Sequence, residues 1–334
     1  MWYRSRFFIA LLCALLTAPA QALWLSEQAD IMGTRISVTL QHTDEKTGQQ
    51  LLQQALDEMH RIDATYSPYK PSSELSLMNE QAGQKGAAAV TVSSEMLKLL
   101  DKSLYYGRLT QGAFDITFAS LARYYDYRAQ QQPSADQRQA LMSAIDYRHV
   151  LLNRAESSVH YQHPAVTVDL GGIAKGYAVD RVINLLRAAG IEHASVSAGG
   201  DSRVLGNRDG RPWLVGIKQP RGDAGIAITL PLTDTAISTS GDYERYYIDD
   251  NGERIHHIIN PQTGKSTDEL ASVTVLGPDA FDTDALSTSI FVLGRERGLA
   301  LIETLPEFDA VLIDRAGKVY YSAGLSPPAQ GLSR

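Results

Sequence analysis

The stretch Val166-Thr-Val-Asp-Leu-Gly-Gly-Ile-Ala-Lys-Gly-Tyr-Ala-Val-Asp180 constrains this chain more than any other. An apolar run over 166–170 enters a glycine pair. Residues 177–189 then carry Val179, Val182, Ile183 and Leu186 at helical spacing, with Gly190 as a stop. The spacing predicts a strand, a tight turn at Gly171-Gly172 and a helix beginning near Lys175. Glycines let a ligand approach the backbone closely. A helix start offers free N–H groups and a positive dipole end to a phosphate, and Lys175 adds a full charge. A tight turn with a solvated lysine fits the same residues equally well. A Walker P-loop is excluded, because Gly-Lys-Ser/Thr after four intervening residues is absent, and so is Gly-x-Gly-x-x-Gly. A second glycine pair, in Ser197-Ala-Gly-Gly-Asp201, is weak by itself.

Around this stretch, helices and strands are intermixed. Alternation over 36–40 predicts a strand, and helical spacing predicts helices over 49–64 and 94–109, the latter capped by Ser93 or Ser94. Strands then dominate, at 194–197, 213–218, 226–230, 246–248 and 272–276, with a hairpin turn at Asn251-Gly252. Helices over 284–293 and 296–305, a strand over 310–313 and a hairpin through Ala316-Gly317 complete the order. The Gln-rich segment 129–137 reads as a solvated loop. Without regular strand–helix alternation, the pattern predicts α+β rather than a doubly wound parallel sheet.

The first residues read as an address. Arg4 and Arg6 precede the apolar run 7–18, and Ala20-Gln-Ala22 supplies small residues for cleavage, so 1–22 is expected to be a signal peptide and 23–334 one domain. The apolar run is short for a bilayer span. Cleavage removes Cys13, the only cysteine, leaving no disulfide or thiolate metal site. Leu12 before Cys13 makes a poor lipobox, so membrane association is not expected unless Cys13 is lipidated. With 31 Lys+Arg against 38 Asp+Glu and a net charge of -7, the chain lacks the broad basic surface of a nucleic-acid binder.

Three further groups can carry chemistry. Asp284 and Thr288 lie four apart on a predicted helix, so both oxygens share a face and suit Mg2+. A helix N-terminal carboxylate beside a core hydroxyl satisfies them as well. In His256-His257-Ile-Ile-Asn-Pro-Gln-Thr-Gly264, adjacent histidines on a strand point to opposite faces. One can therefore enter a site as a general base, although a histidine capping the turn is an equal reading. Zinc lacks further ligands here. The segment Ile237-Ser-Thr-Ser-Gly-Asp-Tyr243 offers hydroxyls near a glycine but no Gly-x-Ser-x-Gly elbow. Tyr66-Ser-Pro-Tyr69 can line a flat aromatic ligand.

Together these motifs resemble the ApbE family of FAD:protein FMN transferases. The matching runs are Met32-Gly-Thr, Tyr66-Ser-Pro-Tyr-Lys-Pro-Ser-Ser-Glu-Leu-Ser-Leu-Met-Asn79, Gly112-Ala-Phe-Asp115, Asp169-Leu-Gly-Gly-Ile-Ala-Lys-Gly176, Ala198-Gly-Gly-Asp201, Thr239-Ser-Gly-Asp-Tyr243, His257-Ile-Ile-Asn-Pro261 and Asp284-Ala-Leu-Ser-Thr288. They span roughly Asp30 to Phe308 in the family's order, which is far more specific than any one of them. Asn260 stands where the family often has Asp, and either residue builds the turn.

The resemblance implies an ApbE-like α+β fold with mixed or antiparallel sheets flanked by helices. It implies an exported enzyme that splits FAD, transfers FMN to a Thr or Ser hydroxyl of an acceptor protein and releases AMP. Carried over by position, Met32, Tyr69, Ala113, Phe114, Asp115, Asp169, Lys175 and Ile258 would line the FAD site. Gly172, through its carbonyl, would hold Mg2+ with Asp284 and Thr288. His257 is the expected base, oriented by a nearby carboxylate. Acceptors in this family carry Asp-Gly-x-Ser/Thr-Gly-Ala-Ser/Thr, as in subunits of membrane redox pumps. Here Asp209-Gly210 continues as Arg-Pro-Trp, so the chain resembles the enzyme and not its acceptor. FAD pyrophosphatase activity and non-catalytic FAD binding are the rival functions.

Overall fold

A computed structural model describes residues 22–221 and 225–325; the expected leader up to residue 21, with Cys13, lies outside the described residues. Eight strands form the main sheet, in the order Leu23–Ile31, Thr34–His42, Ala194–Ala198, Asp201–Leu205, Ala236–Gly241, Leu270–Gly277, Asp309–Asp314 and Val319–Tyr321. All neighbours in it pair antiparallel. Spatial order follows chain order: three tight hairpins alternate with longer connections that carry the helices and the smaller sheets. This is the expected α+β architecture. Among the described residues, no helix is long and apolar enough to cross a membrane.

The helices are α1 (Glu45–Tyr66), α2 (Glu74–Ala82), α3 (Ser94–Leu109), α4 (Ala119–Ala122), α5 (Ala135–Leu141), α6 (Ala174–Ala188), α7 (Ala280–Leu293) and α8 (Arg295–Ile302). In α1 the Asp44 side chain accepts from the Thr47 N–H at 2.7 Å, and Leu51, Leu52, Ala55, Leu56, Met59 and Ile62 form its buried face. Helices α1, α6 and α7 lie side by side across the sheet: α1 on the first two strands, α6 on the next two, α7 on Ala236–Gly241 and Leu270–Gly277. The hairpin of Trp213–Lys218 and Ile226–Leu232 packs separately against Val204, Ile237, Val311 and Ile313.

Two expectations change, and one motif without an assigned element finds its place. Residues 166–170 are extended but are no strand. An amide side chain takes the place of a neighbouring strand. Asn79 Nδ2 donates to the Val168 carbonyl at 2.8 Å, and its Oδ1 accepts from the Val168 N–H at 2.9 Å. Residues 237–241, noted for their hydroxyls, lie in a central strand. The two serine hydroxyls face α7, whereas Thr239 Oγ1 meets Thr274 Oγ1 of the next strand: Ser238 Oγ meets Thr283 Oγ1 at 2.8 Å, and Ser240 Oγ meets Ser287 Oγ at 2.8 Å and Thr288 Oγ1 at 3.2 Å. The last third of the Gln-rich segment is helical, because Ser134 and Gln137 form a capping box for α5.

Helices α6 and α7 cross at Gly176. A Cβ there would stand 2.0 Å from the Ala280 carbonyl oxygen and 2.7 Å from Asp284 Cβ. The first obstacle is backbone, so no side-chain rotation relieves it. Gly176→Ala is expected to destabilise the fold by about 3 kcal/mol, read from denaturant melts.

Candidate active site

The site forms where the turn before α6 meets the middle of α7. Gly171 N–H donates to Asp169 Oδ1 at 2.5 Å, and Ala174 N–H donates to the Leu170 carbonyl at 2.8 Å, which turns the chain into the helix. Helix α6 has no side-chain N-cap. Its Gly176 N–H is taken instead by Asp284 Oδ2 at 2.9 Å.

Asp284 is not at a helix start. Helix α7 begins at Ala280, with Asp279 as its N-cap. Asp180 accepts from the Ala280 and Phe281 N–H groups at 3.0 and 2.8 Å. Two other carboxylates therefore serve the N-terminus of α7, and Asp284 instead reaches across to the first turn of α6. Thr288, one turn on, faces Gly172: a Cβ on that glycine would lie 3.5 Å from Thr288 Oγ1 and 3.3 Å from a Phe114 ring carbon. The three expected metal-holding residues are thus neighbours. Among the described residues, no group of three His, Cys, Asp or Glu side chains gathers as a metal site.

Lys175 Nζ binds Asp201 and lies 3.6 Å from Asp284 Oδ1. Both carboxylates are almost fully buried. Burial, and then repulsion from Asp201, push the Asp284 carboxyl up to about 7, against the pull of Lys175 and the Gly176 N–H. Burial opposes the Lys175 charge, but Asp201 and Asp284 outweigh it and hold the amine protonated above its ordinary range. Two buried carboxylates against one ammonium leave a surplus of negative charge. Asp201 was legible only as the end of a weak glycine-pair turn. Gly200 lets that turn pass under the Thr239 carbonyl, 2.5 Å from where its Cβ would be.

Phe114 and Ala113 are buried beside this turn, and the Asp169 N–H donates to the Ile116 carbonyl at 3.0 Å, joining the two loops. Burial raises the Asp169 carboxyl, opposed by the Gly171 N–H and by Arg245. Asp115 turns inward. Its Oδ1 accepts from the Thr117 N–H and hydroxyl at 2.8 and 2.6 Å, and its Oδ2 accepts from the Tyr147 N–H at 2.7 Å. Burial pushes it up to about 6 despite these donors. Asp115→Ala is expected to cost about 3 kcal/mol by orphaning two buried donors of Thr117 and the part-buried Tyr147 N–H, with Asp115→Asn intermediate, as thermal and urea melts would measure.

Met32 and Gly33 form the two-residue turn between the first strands, with φ of 56° and 69°. Met32 lines a cavity of about 450 Å³ with His60, Asp63 and Lys70. Across the turn stands exposed Arg245, its Nη2 3.1 Å from where a Gly33 Cβ would be. Its charge acts on both Asp169 and His257. Sequence reasoning missed this residue, since Glu-Arg after Gly-Asp-Tyr looks like ordinary surface. Tyr69 is 79% exposed and stays at the rim. A second cavity, of about 630 Å³, lies at Lys102, Tyr105, Asp279 and Asp282, and none of the expected site residues lines it.

His257 does not share a strand with His256; it stands at the bend after Arg254–His256. Among the described residues its Nδ1 is buried without a well-formed hydrogen bond, and no orienting carboxylate stands there. Burial, then His256, Arg245 and Lys175, lower its imidazole to about 3, and the ring is neutral. Ile258 is buried next to it.

The known proteins this chain is similar to agree with one another. The ApbE family model matches residues 32–312. The FAD:protein FMN transferase of Haemophilus influenzae is 31% identical over 312 residues, 88% of each chain. That of Vibrio cholerae is 33% identical over 293 residues, 85% of each. The solved ApbE protein of Thermotoga maritima superposes with a TM-score of 0.83 at 30% identity, over 90% of this chain and 98% of its own. The flavin transferase ApbE of Vibrio cholerae gives 0.80 at 29%, over 91% and 98%. Fold and site thus define an α+β enzyme of the transferase class. The chain belongs to the ApbE family.

Proposed function

We propose that this protein transfers FMN from FAD to a Thr or Ser hydroxyl of an acceptor protein, in a Mg2+-dependent reaction that releases AMP. The observation that carries this reading is the convergence of Asp284, Thr288 and Gly172 beside Lys175 at the first turn of α6. The donor set is all oxygen, and the carboxylate surplus at Asp284 and Asp201 suits a hard dication, with substrate phosphates and water completing its shell. Asp284, Thr288 and the Gly172 carbonyl would hold Mg2+, which would offset diphosphate charge and favour departure of AMP.

The chain's own residues supply the rest. Met32, Tyr69, Ala113, Phe114, Asp169 and Ile258 bound the space for FAD, and Asp115 fixes the loop behind Phe114. Lys175 and Arg245 balance the diphosphate. His257 takes the proton of the acceptor hydroxyl as its oxygen attacks the FMN phosphorus. One P–O bond forms to the acceptor and the P–O bond to AMP breaks. Water in place of the hydroxyl gives FMN and AMP, the pyrophosphatase outcome.

Acceptors are proposed to be exported flavoproteins or subunits of membrane redox pumps with the Asp-Gly-x-Ser/Thr-Gly-Ala-Ser/Thr motif. The enzyme is proposed to work in the periplasm as one domain after loss of residues 1–22. Incubation with FAD, Mg2+ and an acceptor domain tests the reading by acceptor mass. An FMN-sized gain abolished by a chelator supports it. Free FMN without a mass gain makes the protein a pyrophosphatase, and no turnover makes it a binder.

A further inference from the structure

We infer that His256 is a positioning residue, whose ring fixes the backbone corner that presents His257. The inference rests on the proposed role of His257 as base. His256 is 1% exposed and touches neither the glycine turn nor the carboxylates, so the proposed chemistry does not use it. Its neighbour lacks the usual means of orientation: among the described residues His257 Nδ1 has no carboxylate partner and no well-formed hydrogen bond, and the Arg245 backbone alone acts weakly on the ring. The backbone around that ring therefore largely sets where it stands.

Both ring nitrogens of His256 are committed to backbone. Nε2 meets the Thr267 carbonyl at 2.7 Å, and the Ile258 N–H donates to Nδ1 at 3.3 Å. A carbonyl accepts only from N–H, and an N–H donates only to a lone pair. The ring is therefore the neutral Nε2–H tautomer. Burial lowers its pKa and favours that neutral form. The Ile258 bond closes a loop directly over His257, from the residue before it to the residue after it.

The remaining contacts lock the same corner. Ser266 Oγ accepts from the His256 N–H at 2.9 Å and donates to the His256 carbonyl at 2.6 Å. The His257 N–H donates to the Arg245 carbonyl at 3.2 Å. The His256 ring also stands edge-on to Phe291, 5.8 Å between centroids at 80°. Phe291 belongs to α7, one turn beyond Thr288. His256 thus ties the His257 corner to the helix that carries Asp284 and Thr288.

Two conservative variants separate the ring's two bonds. His256→Asn keeps an acceptor near the Nδ1 position, and His256→Gln keeps a donor near the Nε2 position. In the acceptor-mass assay with full-length mature protein, FAD and Mg2+, His256→Gln is expected to lower kcat roughly 10–100-fold, with the KM and Kd for FAD within about twofold of wild type. His256→Asn is expected to restore most of that loss. Equal loss in both variants, a parallel fall in FAD affinity, or wild-type kcat in His256→Gln would overturn the inference. If the variants fail to fold, nitrogen NMR of wild-type imidazoles still decides: the Nε2–H tautomer at His256 supports it and the Nδ1–H tautomer sinks it. Full activity in His257→Ala would instead defeat the underlying reading of His257, whatever the His256 variants do.

Discussion

Asp284→Asn is expected to lower flavin transfer roughly 10³-fold while making the metal-free protein more stable at pH 8 than wild type. Asparagine keeps the oxygen that accepts the Gly176 N–H but removes a buried charge, and Lys175 retains Asp201 as its partner. The stability gain has a defined pH window. The Asp284 carboxyl is raised to about 7 in the fold, so between its ordinary value and 7 the folded state binds a proton that the unfolded state has lost. Wild-type stability from this group therefore falls as pH rises through that window. The two proteins should melt together near pH 4 and differ by ~1–3 kcal/mol at pH 8, on the scale of a buried charge lacking full compensation. Added Mg2+ should raise the wild-type midpoint and leave the variant unmoved. Equal midpoints at pH 8 without divalent cation, or undiminished transfer, would contradict the charge surplus.

His257→Ala is expected to reduce transfer by roughly 10²–10⁴-fold with FAD affinity nearly unchanged. The pH profile adds a sharper requirement. In the empty site the imidazole sits at about 3, lowered first by burial and then by His256, Arg245 and Lys175. An anionic diphosphate beside Lys175 and Arg245 screens those two cations, so the imidazole rises on binding. Since kcat/KM reports the free enzyme and kcat the complex, the acid limb of kcat should lie at higher pH than that of kcat/KM. The kcat limb should also vanish from the residual activity of His257→Ala. Coincident limbs would mean that the histidine does not sense the ligand.

Where sequence and structure agree, a local periodicity was strong enough to stand alone. The capped amphipathic turns of α1 and α3 are of this kind, and so is the hairpin pairing Tyr247 with Ile255. The closeness of Asp284 and Thr288 was also legible, because residues four apart on one helix are neighbours in any fold, whereas Gly172 came only with the resemblance. Contacts made across the fold were not legible. Nothing in residues 166–170 announces that Asn79 satisfies their backbone. The central strand Ala236–Gly241 and helix α7 bury both polar and apolar sides, so neither shows a clean face. Asp201 and Arg245 escaped for the same reason: each acquires meaning from a partner tens of residues away. The resemblance supplied the site's members, and only the fold shows that Asp115 faces inward and that His257 lacks an orienting acid.

The hydroxyl contacts between the strand Ala236–Gly241 and α7 carry a last consequence. Greasy interfaces tolerate slippage, because one methyl serves nearly as well as the next. Oxygens matched at 2.8 Å do not, and a helix that advanced by one residue would swing its side chains through about 100° and break each match at once. The serine and threonine rungs act as a key in a slot: they fix the angular phase of α7, and so aim Asp284 and Thr288 along one bearing before any ligand arrives.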